Sequence, residues 1–163
     1  MNCFKLRFAF IAAIALLSVD ASADETVDRQ KLKGEWRVVG LQSDGKEDLG
    51  ASFEGMIWDF ADKEYTLTPG STTPAGLAGK RSIRVQYSLD AKQNPKHFTQ
   101  MLGDRTLLGI YQFKDDQLQV CLARFEHARP NKFNTKGMND WFCYRLERVE
   151  LNAETTESRG SKD

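Results

Sequence analysis

TLLGIYQFKDDQLQVCLARF, residues 106–125, decides the fold of this chain. Two β-rich runs, 106–113 and 117–125, flank the polar turn Lys114-Asp115-Asp116. In the second run Leu118, Val120 and Leu122 alternate with Gln117, Gln119 and Cys121. Period two means a strand with one buried face. A short polar turn between two such strands makes an antiparallel hairpin.

The same pattern extends in both directions. RSIRVQYSLDA (81–91) sets Ile83, Val85, Tyr87 and Leu89 against Ser82, Arg84, Gln86 and Ser88. Asn94-Pro95 breaks this strand; HFTQML (97–102) follows, and Gly103-Asp104 is a turn. Upstream, GEWRVVGLQ (34–42) precedes the hairpin-type turn Ser43-Asp44-Gly45-Lys46. GMIWDFA (55–61) puts Met56, Trp58 and Phe60 on one face, Asp62-Lys63 is a turn, and EYTLT (64–68) alternates again. PGSTTPAGLAGK (69–80) reads as a loop. Downstream, HARPNKFNTKGMND (127–140) is a loop with an extended piece at 131–134, and WFCYRLERV (141–149) is the last strand.

These pieces add up to about eight strands with short connections, so neighbours pair antiparallel. The expected class is all-β: an up-and-down barrel or a sandwich. A short helical turn over 24–33 leads in, capped by Asp24 or Thr26, with Val27 and Leu32 facing inward. A barrel of about eight strands has an interior just wide enough to be filled by side chains or to hold one small ligand.

Composition bounds the function. The chain has 163 residues, 23 basic and 23 acidic. That suits one domain and lacks the basic excess of a nucleic-acid binder. Residues 1–23 read as a signal peptide: Lys5 and Arg7, an apolar run from Phe8 to Val19, then Ala21-Ser22-Ala23. The run is shorter than a membrane span of roughly 20 residues. Cys3 precedes it, which excludes a lipid-modified cysteine after the apolar run. Cleavage before Asp24 leaves 140 residues with 21 basic and 22 acidic side chains and two cysteines. The expected organisation is a signal peptide (1–23), a barrel domain (24–149) and a disordered polar tail (150–163). The mature protein is expected to be an exported monomer, periplasmic or extracellular, with no membrane span.

Gly34-Glu35-Trp36, opening the first strand, resembles the Gly-x-Trp signature of the lipocalin and calycin group. The resemblance implies that Trp36 plugs a closed barrel end and that an Arg of the last strand lies across it. Phe142, Tyr144, Leu146 and Arg148 share one face of that strand, so Arg148 is the candidate; Arg145 lies on the other face with Cys143. Four further pieces resemble a family of small exported lipocalin-like domains, best known from planctomycete-type bacteria and without an assigned function. They are LKGEWRVVGLQSDGK (32–46), YSLDAKQNPKHF (87–98), LLGIYQFKDDQLQVCLA (107–123) and RPNKF (129–133). The family usually has Gly-Asp where this chain has Asp115-Asp116. The chain also lacks the helix that follows the last strand in true lipocalins, so transport is not inherited from that group.

No catalytic set stands out. His97 and His127 lack the paired partners of a zinc site. No Gly-x-Ser-x-Gly elbow occurs, and Asp115-Asp116 has no calcium-loop context. The expectation is a non-enzyme without metal or cofactor. Candidate ligand-binding residues are the inward aromatics Trp58, Phe60, Tyr87, Tyr111 and Tyr144, together with Arg129 and Phe133. The inward aromatics, Tyr65, Phe113 and Phe142 among them, can line a pocket or fill the interior. Arg129 and Lys132 can meet an anion at a barrel mouth, or Phe133 can dock a crossing loop with Arg129 paired to a carboxylate. Two functions follow. One is binding of a small apolar or amphipathic molecule in the barrel. The other is a protein-interaction or inhibitor module that uses its loops on an envelope or extracellular protein.

Cys121 and Cys143 face outward on the last two strands, and bridge if the register sets them opposite. An inserted strand at Asn131–Asn134 would separate them, and Cys121 can also serve as a small apolar residue. The export reading has a direct check. The intact mass of the secreted protein is expected to begin at Asp24; a mature protein retaining residues 1–23 contradicts it.

Overall fold

The computed structural model of the chain describes residues 21–48, 53, 55–70 and 82–150. Most of the expected signal segment, the interior of the 69–80 loop, and the tail past Glu150 lie outside these residues. One helix, α1 (Ala21–Leu32), precedes nine strands: β1 (Gly34–Ser43), β2 (Lys46–Asp48), β3 (Ile57–Phe60), β4 (Glu64–Thr68), β5 (Ile83–Asp90), β6 (Lys96–Leu102), β7 (Arg105–Lys114), β8 (Gln117–Ala123) and β9 (Trp141–Arg148). All pairings are antiparallel. β3 to β9 follow in order, and β9 returns to pair with β1, closing an eight-stranded up-and-down barrel. No helix among the described residues is long and apolar enough to cross a membrane.

β2 is the strand outside the barrel, and the sequence reading had only a turn there. β1 outruns β3, which covers Gly34–Arg37. β2 doubles back to cover Leu41–Ser43, so fewer edge groups of β1 stay unpaired. β1 also bulges: Val38 faces Leu146, but Gly40 faces Arg145, leaving Val39 as the extra residue. A bulge flips the parity beyond it. Leu41, not Gly40, therefore continues the inward row of Trp36 and Val38, and the Arg145 guanidinium lies over Gly40.

The closed end is built on Trp36. It stands directly opposite Arg148, whose guanidinium lies 4.5 Å from the indole centroid. The indole N–H donates to Leu32 O at 2.7 Å. Arg148 donates to Lys33 O at 2.8 Å and also to Lys31 O. The same two side chains thus hold the end of α1 to the barrel. Gly34 has φ +99°, and a Cβ there would sit 3.4 Å from the Arg148 guanidinium. That left-handed backbone favours glycine and starts β1 beneath the arginine.

α1 corrects the expected lead-in. It begins at Ala21, so Asp24 lies in its first turn and is not a cap. Leu32 is fully buried as expected, but Val27 is 51% exposed. Asp28 faces the barrel instead, and its Oδ2 accepts from Lys96 Nζ at 2.6 Å and from the Tyr111 hydroxyl at 2.7 Å. A buried carboxylate is tolerated when it is paired and hydrogen-bonded, as here.

β8 and β9 are direct neighbours, and Cys121 stands opposite Cys143. The two form a disulfide on the outer face. Asn131–Asn134 is not a strand; it runs over the outside of the sheet, where Phe133 packs on Ile110, Cys121 and Cys143.

Two measurements check this frame. Trp36→Ala is expected to cost about 3–5 kcal/mol, Arg148→Ala less, and a double-mutant cycle is expected to show coupling. Strict additivity would mean that the two side chains act independently. Thiol counting on the unfolded, unreduced protein cleaved before Asp24 is expected to find no free thiol, and reduction is expected to cost about 3 kcal/mol. Two free thiols per chain contradict the bridge.

Candidate functional site

The barrel interior divides into a floor and an upper half. α1 and the turns 61–63, 91–95 and 115–116 surround the floor. The connections 44–45, 103–104 and 124–140 emerge at the other end, where β4 ends and β5 begins. Inward residues alternate along each strand, so each strand sends one side chain to each level.

Of the predicted ligand residues, Trp58, Phe60, Tyr87, Tyr111 and Tyr144 do share the interior. They form a chain of ring contacts: Trp58–Tyr144 at 5.1 Å, Trp58–Phe60 at 6.0 Å, Phe60–Tyr87 at 5.5 Å. Tyr111 joins through Phe98, at 6.5 Å. Phe98 is fully buried and stacks on Tyr87 at 5.5 Å. Tyr65 stacks on Trp58 at 4.9 Å, with ring planes 13° apart. Aromatic packing thus fills the lower part of the barrel, and offset or edge-on ring pairs contribute about 0.5–1.5 kcal/mol each beyond area burial.

Arg129 and Phe133 do not join this set. Both lie on the outer side of the sheet. Arg129 donates to Phe98 O at 3.0 Å, to Thr99 Oγ1 at 3.1 Å and to Gly109 O. It pairs with carbonyls, not with the carboxylate expected. Thr135, fully buried, receives the Gly45 N–H on its hydroxyl at 2.9 Å and gives its own N–H to Gln42 Oε1 at 3.2 Å. Arg129, Phe133 and Thr135 are therefore three pins that hold the long connection to the barrel wall.

The interior hydroxyls and other polar groups fall into two sets. Tyr87 donates to Ala61 O at 2.7 Å and Tyr111 to Asp28, both at the floor. A second set differs. Trp58 Nε1, the Tyr65 hydroxyl and Gln100 Oε1 are buried and have no hydrogen-bond partner. Trp58 and Tyr65 are each 1% exposed, and Gln100 is 8% exposed. Gln100 stands opposite Tyr87 on one side and Leu107 on the other, both inward-facing. A buried polar group left unpaired costs about 1–3 kcal/mol. Three on one arc of wall, β3 to β6, give the interior a polar character that its apolar composition does not suggest. Gln100 was missed in the sequence. Its signal was the alternation of Phe98, Gln100 and Leu102 in a weak strand, where a glutamine at an inward position reads as a break in the pattern.

The electrostatics follow the burial of these groups. Burial holds the Tyr65 hydroxyl well above the usual tyrosine range, reinforced by Tyr144. Burial pushes Tyr144 up to about 12. Burial also raises Tyr87, against a downward pull from Arg29. Tyr111 is raised by burial and by its bond to the Asp28 carboxylate. His97 is lowered by burial and by Arg129. His127 lies 3.3 Å from Asp140 at the surface. No group of three metal-ligating side chains occurs among the described residues.

No family model matches the chain, and no curated protein or solved structure matches it.

All four tyrosines of the chain are these interior ones. Each is raised, so the folded state keeps protons that the unfolded chain releases above about pH 10. Stability therefore falls as pH rises past that point. Absorbance titration is expected to show little tyrosinate until the barrel opens, and then all four in step with unfolding. Tyrosine titration near pH 10 with the fold intact contradicts the packing.

Proposed function

We propose that the protein is an exported, lipocalin-like binding module that takes a small molecule into the barrel beside Trp58, Tyr65 and Gln100. The observation that carries this is the trio of unpaired polar atoms on Trp58, Tyr65 and Gln100. A fold gains nothing from burying an indole N–H, a phenol and an amide oxygen without partners. A ligand that accepts from Trp58, donates to Gln100 and does either with Tyr65 would supply them. Phe142, Tyr144, Leu107 and Ile83, partly buried against the same core, offer apolar surface for its body. The expected ligand is amphipathic and uncharged. The raised tyrosines argue for a medium that disfavours charge. A disulfide suits an oxidising compartment, which supports export. The family resemblance of the first strand and the hairpin points the same way.

A second reading is an interaction module acting through its loops. Leu102 and Phe125, 41% and 37% exposed beside the connections of the open end, favour it. Arg105 lies 5.0 Å over the Phe125 ring.

Native mass spectrometry of protein purified from its source is the test. A retained small molecule, released on unfolding, is expected. Tyr65→Phe and Gln100→Leu are each expected to stabilise the ligand-free protein by about 1 kcal/mol, because each removes an unpaired group. Both are expected to weaken retention. A bare mass, or stabilised variants that hold the molecule as firmly as before, contradicts the proposal.

A further inference from the structure

We propose that a groove at the rim of the barrel's closed end, between α1, the β5–β6 turn, β7 and residues 131–133, binds a small organic anion. This site is distinct from the Trp58, Tyr65 and Gln100 set and does not rest on that reading. The groove has a volume of about 590 Å³, in the size range of small-molecule sites. Four chain segments build it, which sets it apart from a surface lysine or two. Lys31 comes from α1, Lys96 from the start of β6, Phe113 from β7, and Asn131 and Lys132 from the loop.

The charge balance gives the sign of the ligand. Asp28 is the one acid in the lining, and it is 3% exposed. Its Oδ2 already accepts from Lys96 and from Tyr111. Lys96 is thereby matched. Neither Lys31 nor Lys132 has a carboxylate partner among the described residues. Two unmatched cations thus stand on two walls, one on the helix and one on the loop. Asp28 at the floor keeps an anion from settling deep and places it at the rim between the two lysines. Lys31 also stands 5.8 Å from the centroid of the Phe113 ring. That ring gives the groove an apolar wall beside the charge, which suits an organic anion better than a bare inorganic one.

The RPNKF segment acquires a role here. Arg129, the stronger anion binder by type, is held on backbone carbonyls. Its anchoring fixes the loop that carries Asn131 and Lys132 along the groove.

The experiment uses the disulfide-intact protein and follows backbone amide shifts on titration with phenyl phosphate, inorganic phosphate and phenol. Phenyl phosphate is expected to give saturable shifts at Lys31, Gln112 and Lys132, weakening as salt is added. Lys31 and Lys132 are both exposed, so the double variant K31Q/K132Q is expected to keep its unfolding midpoint. Its Kd is expected to rise by about tenfold or more, equivalent to about 1.4 kcal/mol. Inorganic phosphate or phenol binding as tightly as phenyl phosphate would overturn the proposal. So would an unchanged Kd in the double variant, or shifts that do not saturate.

Discussion

A strand at the edge of a sheet exposes a row of unpaired N–H and C=O groups, and this chain has two such strands to reconcile, the first and the last. Their pairing is the constraint on which the rest depends. Once β9 lies along β1, every strand of the barrel has two neighbours, and inside and outside become fixed for each residue. The seam is held at its lower end by Trp36 under Arg148, with both side chains tied to the last carbonyls of α1. One strand away, the Cys121–Cys143 bridge fixes the register of β8 against β9. The bulge at Val39 lets β1 satisfy β9 on one edge while serving β3 and then β2 on the other.

Closure also divides the interior by chemistry. At the floor, helix and turn groups complete the tyrosine hydroxyls, and the rings pack against one another. Elsewhere on the inner wall, from β3 to β6, a donor, an acceptor and a hydroxyl have nothing to meet. A barrel this size has room for side chains or for one small molecule. The outer wall is built separately. There the long connection between β8 and β9 is pinned by Arg129, Phe133 and Thr135, and shapes a groove of its own.

Much of this was legible in the sequence, because strand parity is a local property. The inward rows of Trp58 and Phe60, of Val85, Tyr87 and Leu89, and of Leu118, Val120 and Leu122 followed from period two alone. The outward placement of both cysteines followed the same way, and parity chose Arg148 over Arg145 once the Gly-x-Trp resemblance implied an arginine across Trp36. What escaped depends on contacts distant in the chain. Val27 is expected to face inward, but Asp28 does so, held by Lys96 and Tyr111, 68 and 83 residues away. β2 exists because β1 outruns β3, which no local pattern records. Arg129 reads as meeting an anion or pairing with a carboxylate; its partners are mainly backbone carbonyls, which have no sequence signature. Gln100 does not stand out, because an inward glutamine in a weak strand carries no apolar signal, although it is buried with Oε1 unpartnered.

The most direct measurement is the set of cross-strand nuclear Overhauser contacts between β1 and β9 in the labelled protein. The account predicts backbone contacts pairing Trp36 with Arg148 and Val38 with Leu146, then a one-residue step so that Leu41 meets Tyr144 and Gln42 meets Cys143. An open sheet, with β1 and β9 each lacking these contacts, would contradict it, as would pairing that runs through Val39 without the step.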